Sequence, residues 1–201
     1  MIDKQQLLLI FVKHPLMGEV KTRIGAVAGH EKAVEIYQEL LQITANCVQP
    51  LAAHKVVFYG NIVPEHDLWQ NLGLERQLQT GNDLGERMEN AFAWGFAQGF
   101  QQILIIGSDC AELSTEILQQ GFDSLTSHEF VLGGAKDGGY YLLGMRALYN
   151  FVFENKKWST DTVFKETLQE IQENAHTCAL LPTLSDIDTL EDWQQFHGFM
   201  H

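Results

Sequence analysis

Short, continuously apolar runs alternate with longer amphipathic segments along most of this chain, and no other feature restricts its fold so strongly. Residues 7–12, 55–59, 76–79, 102–106, 130–135 and 140–145 have the length and character of strands. Several are apolar at successive positions, as a strand covered on both faces requires. Residues 31–47, 84–99, 114–125 and 160–174 instead place apolar side chains near helical spacing, as Val34, Tyr37, Leu40, Leu41 and Thr44 do in the first of them. The strand–helix order through Ile106 predicts a mostly parallel, three-layer, Rossmann-like α/β sheet. Residues 130–145 break the rhythm, since only residues 136–139 separate two strands, so the predicted sheet is mixed. In such folds ligands bind outside the carboxyl ends of the strands, and the loops there are where function is sought.

The 201 residues suit a single domain spanning residues 1–201, long enough to bury a sizeable core. No apolar run reaches the roughly 18–20 residues of a membrane span. The first run ends at Lys13 without a small-residue cleavage site, so it reads as a strand and not as a signal peptide. A formal net charge of -13 argues against nucleic-acid or membrane-surface binding. It leaves room for a nucleotide, provided cations gather locally at the phosphates. Cys47, Cys110 and Cys178 show no Cys-x-x-Cys spacing, which suits reduced thiols in a cytoplasmic protein. Oligomeric state is not legible.

The loop after the first strand collects Lys13, Lys21 and Arg23 in an otherwise acidic chain, with Pro15 to stiffen it and Gly18 to admit close backbone approach. Converging cations near a helix start suit a di- or triphosphate, Arg23 holding it in bidentate fashion and Lys21 as a point charge. A solvated basic loop explains the spacing equally well, and neither a Walker A loop nor a dinucleotide fingerprint is present. A second loop, from Gly81 through Asn82, Asp83, Leu84 and Gly85 to Arg87, opens a helix that Asn82 or Asp83 can cap. Its backbone can read a nucleobase edge with Arg87 facing the ligand; a well-capped helix start is the plainer reading.

Two further segments carry acid. Gly107, Ser108 and Asp109 end the run 103–106 abruptly, and a carboxylate just past a buried strand needs a partner or a cation. Mg2+ or Mn2+ would bridge it to phosphate oxygens, whereas a helix cap or a closed turn requires no metal. Asp186 and Asp188 precede a short helix that Thr189 and Asp192 can open, and either carboxylate is a second candidate ligand. Between them in sequence, Lys136, Asp137, Gly138, Gly139 and Tyr140 form a strong hairpin signal. That tip is structural, or it is an acceptor pocket in which Asp137 acts as general base.

In order, Lys13-x-Pro15-x-x-Gly18-x-Val20-Lys21-Thr22-Arg23, Asp83-Leu84-Gly85-Glu86-Arg87-Met88, Gly107-Ser108-Asp109-Cys110, Asp137-Gly138-Gly139-Tyr140, Trp158-Ser159-Thr160 and Asp186-Ile187-Asp188-Thr189 resemble a bacterial group of glycosyltransferase-A-like proteins in the nucleotide-diphospho-sugar transferase superfamily, some associated with arsenosugar biosynthesis. The resemblance implies that fold. It places Lys13, Gly18, Lys21, Thr22 and Arg23 at the nucleotide phosphates, with Gly81, Leu84, Gly85 and Arg87 also at the nucleotide. It puts Asp109 at a metal, with Asp188 as second ligand, and Lys136, Asp137, Gly138, Gly139 and Tyr140 at the sugar or acceptor. The chain departs from the group at Ala111 and Gly134, where proline is usual, and at Ala111 it also lacks the second carboxylate of an Asp-x-Asp pair. Metal affinity is therefore expected to be weak until a nucleotide adds its own oxygens.

The expected activity is metal-dependent transfer of a sugar from a nucleotide-diphospho-sugar to a small acceptor. A nucleotidyltransferase that releases pyrophosphate uses the same basic loop, and a non-catalytic nucleotide-binding regulator needs no turnover at all. Trp158-Ser159-Thr160 either caps the helix that follows or closes over the ligand.

Overall fold

The computed structural model describes residues 5–198. Its strands are β1 (Gln6–Val12), β2 (His54–Tyr59), β3 (Glu75–Leu78), β4 (Gln102–Ile106), β5 (Phe130–Ala135), β6 (Tyr140–Met145) and β7 (Cys178–Leu184). They form one sheet in the order β3-β2-β1-β4-β6-β5-β7. β1 pairs in parallel with β2 and β4, and β2 with β3, while β6 runs antiparallel to both its neighbours, β4 and β5. The mixed, mostly parallel sheet is thus as the sequence predicts, with the hairpin at residues 136–139 as the point of reversal.

Seven α-helices and a short 3-10 turn (Asn150–Val152) complete the described chain, the α-helices being α1 (Thr22–Ala28), α2 (His30–Val48), α3 (Leu68–Asn71), α4 (Leu84–Ala97), α5 (Thr115–Ser124), α6 (Val163–Glu173) and α7 (Leu190–Gly198). The period-2 alternation of β1 assigns them to layers. Leu8, Ile10 and Val12 face a core shared with α1, α2, α5 and α7, whereas Leu7, Leu9 and Phe11 face a core shared with α4 and α6. Both faces of the central strands are therefore dry, which is why their sequences read as continuous apolar runs and not as alternating ones.

Three elements escape the periodicity argument. α1 and α3 are too short to display it, and β7 contains Pro182, which is compatible only with an edge strand. β7 is such an edge, pairing in parallel with β5 alone. One predicted boundary needs correction: the helix expected over 160–174 starts at Val163, because Phe164 N–H donates to Gly138 O (3.0 Å) and Thr160 Oγ1 turns back to Lys157 O (3.0 Å). None of the described helices is long and apolar enough to cross a membrane.

Candidate functional site

Six of the seven strands point the same way, so the loops after β1, β2, β3, β4 and β7 and the β5–β6 hairpin tip all emerge at one edge of the sheet. A cleft of about 510 Å³ opens there, a volume suited to a small-molecule ligand. Lys13, Lys21, Thr22, Arg23, Leu84, Arg87, Asp109, Tyr140 and Asp188 line it, together with Asp186.

Lys21 organises the site. It precedes α1 with a left-handed backbone (φ 44°, ψ 49°), a conformation that costs a non-glycine residue about 1–3 kcal/mol. In return its side chain is only 6% exposed and its ammonium is 2.6 Å from Asp109 Oδ1 and 3.6 Å from Asp188 Oδ1. The same Nζ donates to Ile187 O at 2.6 Å, and Ile187 N–H donates to Asp109 O at 2.9 Å. One buried cation therefore ties together the loops after β1, β4 and β7. Arg23, two residues further on, reaches Asp188 Oδ2 at 3.2 Å yet leaves 75% of its side chain exposed, so its remaining donors face solvent.

The carboxylates outnumber the cation. Asp186 is pushed up to about 7, first by burial and then by the charges of Asp109 and Asp137, with Lys21 opposing the shift and Asp188 adding to it. A floor of this kind favours a further positive charge. Asp109 and Asp188, hard-oxygen donors held on either side of one ammonium, are the pair suited to a divalent cation, although among the described residues no ready-made group of three or more ligands occurs.

A residue assigned only to the core by its helical spacing turns out to brace this arrangement. Tyr37, on α2, accepts the backbone N–H of Lys13 (2.9 Å) and shares a hydrogen bond with Ser108 Oγ (3.0 Å). Burial, followed by the charge of Asp109, pushes its hydroxyl up to about 12, so it remains a neutral donor and acceptor. Its sequence signal was faint: a tyrosine on a buried helical face needs a partner for its hydroxyl, but nothing in the spacing names that partner.

The second loop behaves as a capped helix start. Asp83 accepts from Glu86 N–H, and Glu86 reaches back to Asn82 N–H (2.8 Å). Leu84 and Arg87 nevertheless face the cleft, and Arg87 Nε is held by Gly81 O (3.2 Å). Gly81, Gly85 and Gly18 do not line it. Gly85 is instead covered by the Trp158 ring, so a Cβ there would collide with the indole. Trp158 thus neither caps α6 nor enters the cleft; it seals the start of α4, with the Lys156 ammonium 5.7 Å from its ring.

The hairpin tip lies at the margin. Lys136 and Asp137 are exposed, and Asp137 Oδ1 accepts from Gly139 N–H (2.9 Å), an Asx turn that shapes the tip. Gly138 has φ 91° and presses against the backbone of Asp161, so no side chain fits there. Lys136, Asp137, Gly138 and Gly139 are not cleft-lining, whereas Tyr140 is, and its buried hydroxyl has no hydrogen-bond partner among the described residues. Gly133 and Gly134, one of which stands where proline was expected, lie beneath the Tyr141 and Phe164 rings respectively. The three cysteine thiols are free and, buried to varying degrees, are each pushed up to about 12.

A search across known families matches residues 42–160 to the group described as "Uncharacterized protein conserved in bacteria (DUF2064)", more than half of the chain. The chain belongs to this family. A structure from Desulfovibrio desulfuricans G20, provisionally named a nucleotide-diphospho-sugar transferase, is 30% identical with a TM-score of 0.87, over 95% of this chain and 85% of its own. The 4-diphosphocytidyl-2C-methyl-D-erythritol synthase of Anaerococcus prevotii DSM 20548 covers 98% of both chains at 12% identity and a TM-score of 0.63. The inositol-1-phosphate CTP transferase of T. maritima covers 96% of this chain and 93% of its own at 12% identity and a TM-score of 0.53. At those identities the last two show a shared fold alone. No curated protein matches the sequence. The family member's architecture is therefore that of the nucleotide-diphospho-sugar transferases.

Proposed function

We propose that this family member is a transferase that moves a sugar from a nucleotide-diphospho-sugar to a small acceptor. The observation that carries the reading is the Lys21 ammonium held between Asp109 and Asp188 inside the cleft, with Arg23 alongside. The 30% identical structure named for the same chemistry supports it.

In this reading the bond between the sugar anomeric carbon and the diphosphate breaks, and a bond to an acceptor oxygen forms. The negative charge that develops on the diphosphate is met by Lys21 and by the free donors of Arg23, with Lys13 and Arg87 available along the cleft. Asp109 and Asp188 would hold Mg2+ or Mn2+, because two protein carboxylates suffice when phosphates supply the remaining oxygens. That ion would add Lewis-acid stabilisation of the departing diphosphate. Asp137 stands at the margin of the cleft, near enough for its charge to act on Asp186, and would take the proton of an acceptor hydroxyl entering from that side.

Phosphorus NMR of the protein incubated with nucleotide sugars, Mn2+ and a panel of small hydroxylated acceptors tests this. Appearance of a nucleoside diphosphate, abolished by Asp109→Asn, is expected. Pyrophosphate released from a nucleoside triphosphate would instead assign nucleotidyl transfer, and ligand binding without any turnover would assign a regulator.

A further inference from the structure

The cleft extends well beyond the charged cluster. Lys21, Asp109 and Asp188 lie beyond the ends of β1, β4 and β7, whereas Gly60 and Gln79, which also line the cleft, follow β2 and β3 at the far side of the sheet. With strands about 4.8 Å apart, the three spacings from β4 to β3 give a trough of roughly 14 Å. An extended nucleoside diphosphate laid across it, phosphates at Lys21 and Arg23, brings its base to Gln79.

Gln79 is built as a fixed reader. Its backbone N–H extends the ladder to Tyr59 O (2.8 Å), and its side-chain Nε2 donates to Phe58 O (2.9 Å). Because that partner is a carbonyl, only the nitrogen can face it, and the amide cannot flip without losing the bond. Oε1 is consequently held over Gly60, where an added Cβ would lie 3.3 Å from it, and no donor engages Oε1 among the described residues. Leu84 lines the same cleft with 42% of its surface exposed and can supply an apolar wall for the face of a flat ring.

Resting on the nucleotide-transferase reading above, we propose that Gln79 determines base specificity, its pinned Oε1 accepting a hydrogen bond from an exocyclic amino group. Cytosine, adenine and guanine carry such a donor. Uracil and thymine offer a single ring N–H flanked by two carbonyls, which a fixed acceptor disfavours. A site built around one hydrogen bond rejects the analogue that lacks it, because its own polar group is left unpaired.

Calorimetric titration with CDP, ADP, GDP, UDP and dTDP, and with inorganic pyrophosphate, all in Mg2+, decides the matter. The best amino-bearing nucleotide is expected to bind at least about tenfold more tightly than UDP and dTDP. In Gln79→Met that ratio should fall to within about twofold, with pyrophosphate affinity unchanged because the phosphate end is intact. UDP binding as tightly as the best amino-bearing nucleotide overturns the proposal from the wild-type protein alone, even if the variant does not fold. So does a selectivity that survives Gln79→Met. Pyrophosphate and nucleotides binding without base preference overturns the role of Gln79 but leaves the transferase reading standing, whereas failure of every compound to bind overturns both.

Discussion

Lys21 combines a left-handed backbone with a buried ammonium, and each feature alone is unfavourable. Together they hold, because the unusual φ aims the side chain at Asp109, Asp188 and Ile187 O. Lys21→Met should weaken nucleoside diphosphate binding at least tenfold by calorimetry, as a charge-assisted contact is lost. Its effect on folding should be about 1 kcal/mol or less in urea titration, since Asp109 and Asp188 are 49% and 40% exposed and water can screen them. Tyr37→Phe makes the opposite split. Losing the hydroxyl strands the half-buried Lys13 N–H and the buried Ser108 Oγ, so urea titration should show a loss of about 1–3 kcal/mol. The cations of this site were legible as residues, because three of them in one loop of an acidic chain is unusual. The pairing was not: Lys21 and Ile187 lie 166 positions apart, and no spacing rule links them.

At the scale of elements, the hairpin tip and the segment before α6 depend on one another. Gly138 meets the backbone of Asp161 at positive φ, so Gly138→Ala should destabilise by about 2 kcal/mol or more and lower Tm correspondingly. Asp-Gly-Gly announces a turn in the sequence, but the demand for glycine comes from a segment more than twenty residues away and was invisible there. The entry of β5 and β7 is joined by Glu129, whose carboxylate accepts both the side chain and the backbone N–H of Thr177. Those bonds hold Glu129 down to about 2 from 4.5. A depressed carboxyl contributes stability that is complete above its unfolded value and is lost as pH falls through the folded one. Glu129→Gln should therefore be less stable than wild type at pH 6 and converge with it towards pH 2, as judged by urea midpoints across that interval. β7 itself was missed because an edge strand with a proline and little burial carries no periodic signal.

Across the whole molecule, the fold was the most legible level, because the strands buried between two helical layers leave apolar runs that only a few architectures accommodate. The reversal at residues 136–139 was legible for the same reason: a turn too short for a crossover helix forces an antiparallel pair. The cleft follows from topology, since six strands ending at one edge gather loops that composition alone cannot place together. A nucleoside diphosphate is expected to bind there at Lys21 and Arg23, together with a divalent cation at Asp109. A thermal-unfolding panel of nucleoside diphosphates and nucleotide sugars, with Mn2+ or with a chelator, on wild type and Asp109→Asn, reads out this binding. A ligand at about a hundred times its Kd stabilises the folded state by about 2.7 kcal/mol. A clear rise in Tm that needs the metal and is lost in Asp109→Asn is expected; a rise indifferent to both, or no rise with any nucleotide at millimolar concentration, would overturn the nucleotide site.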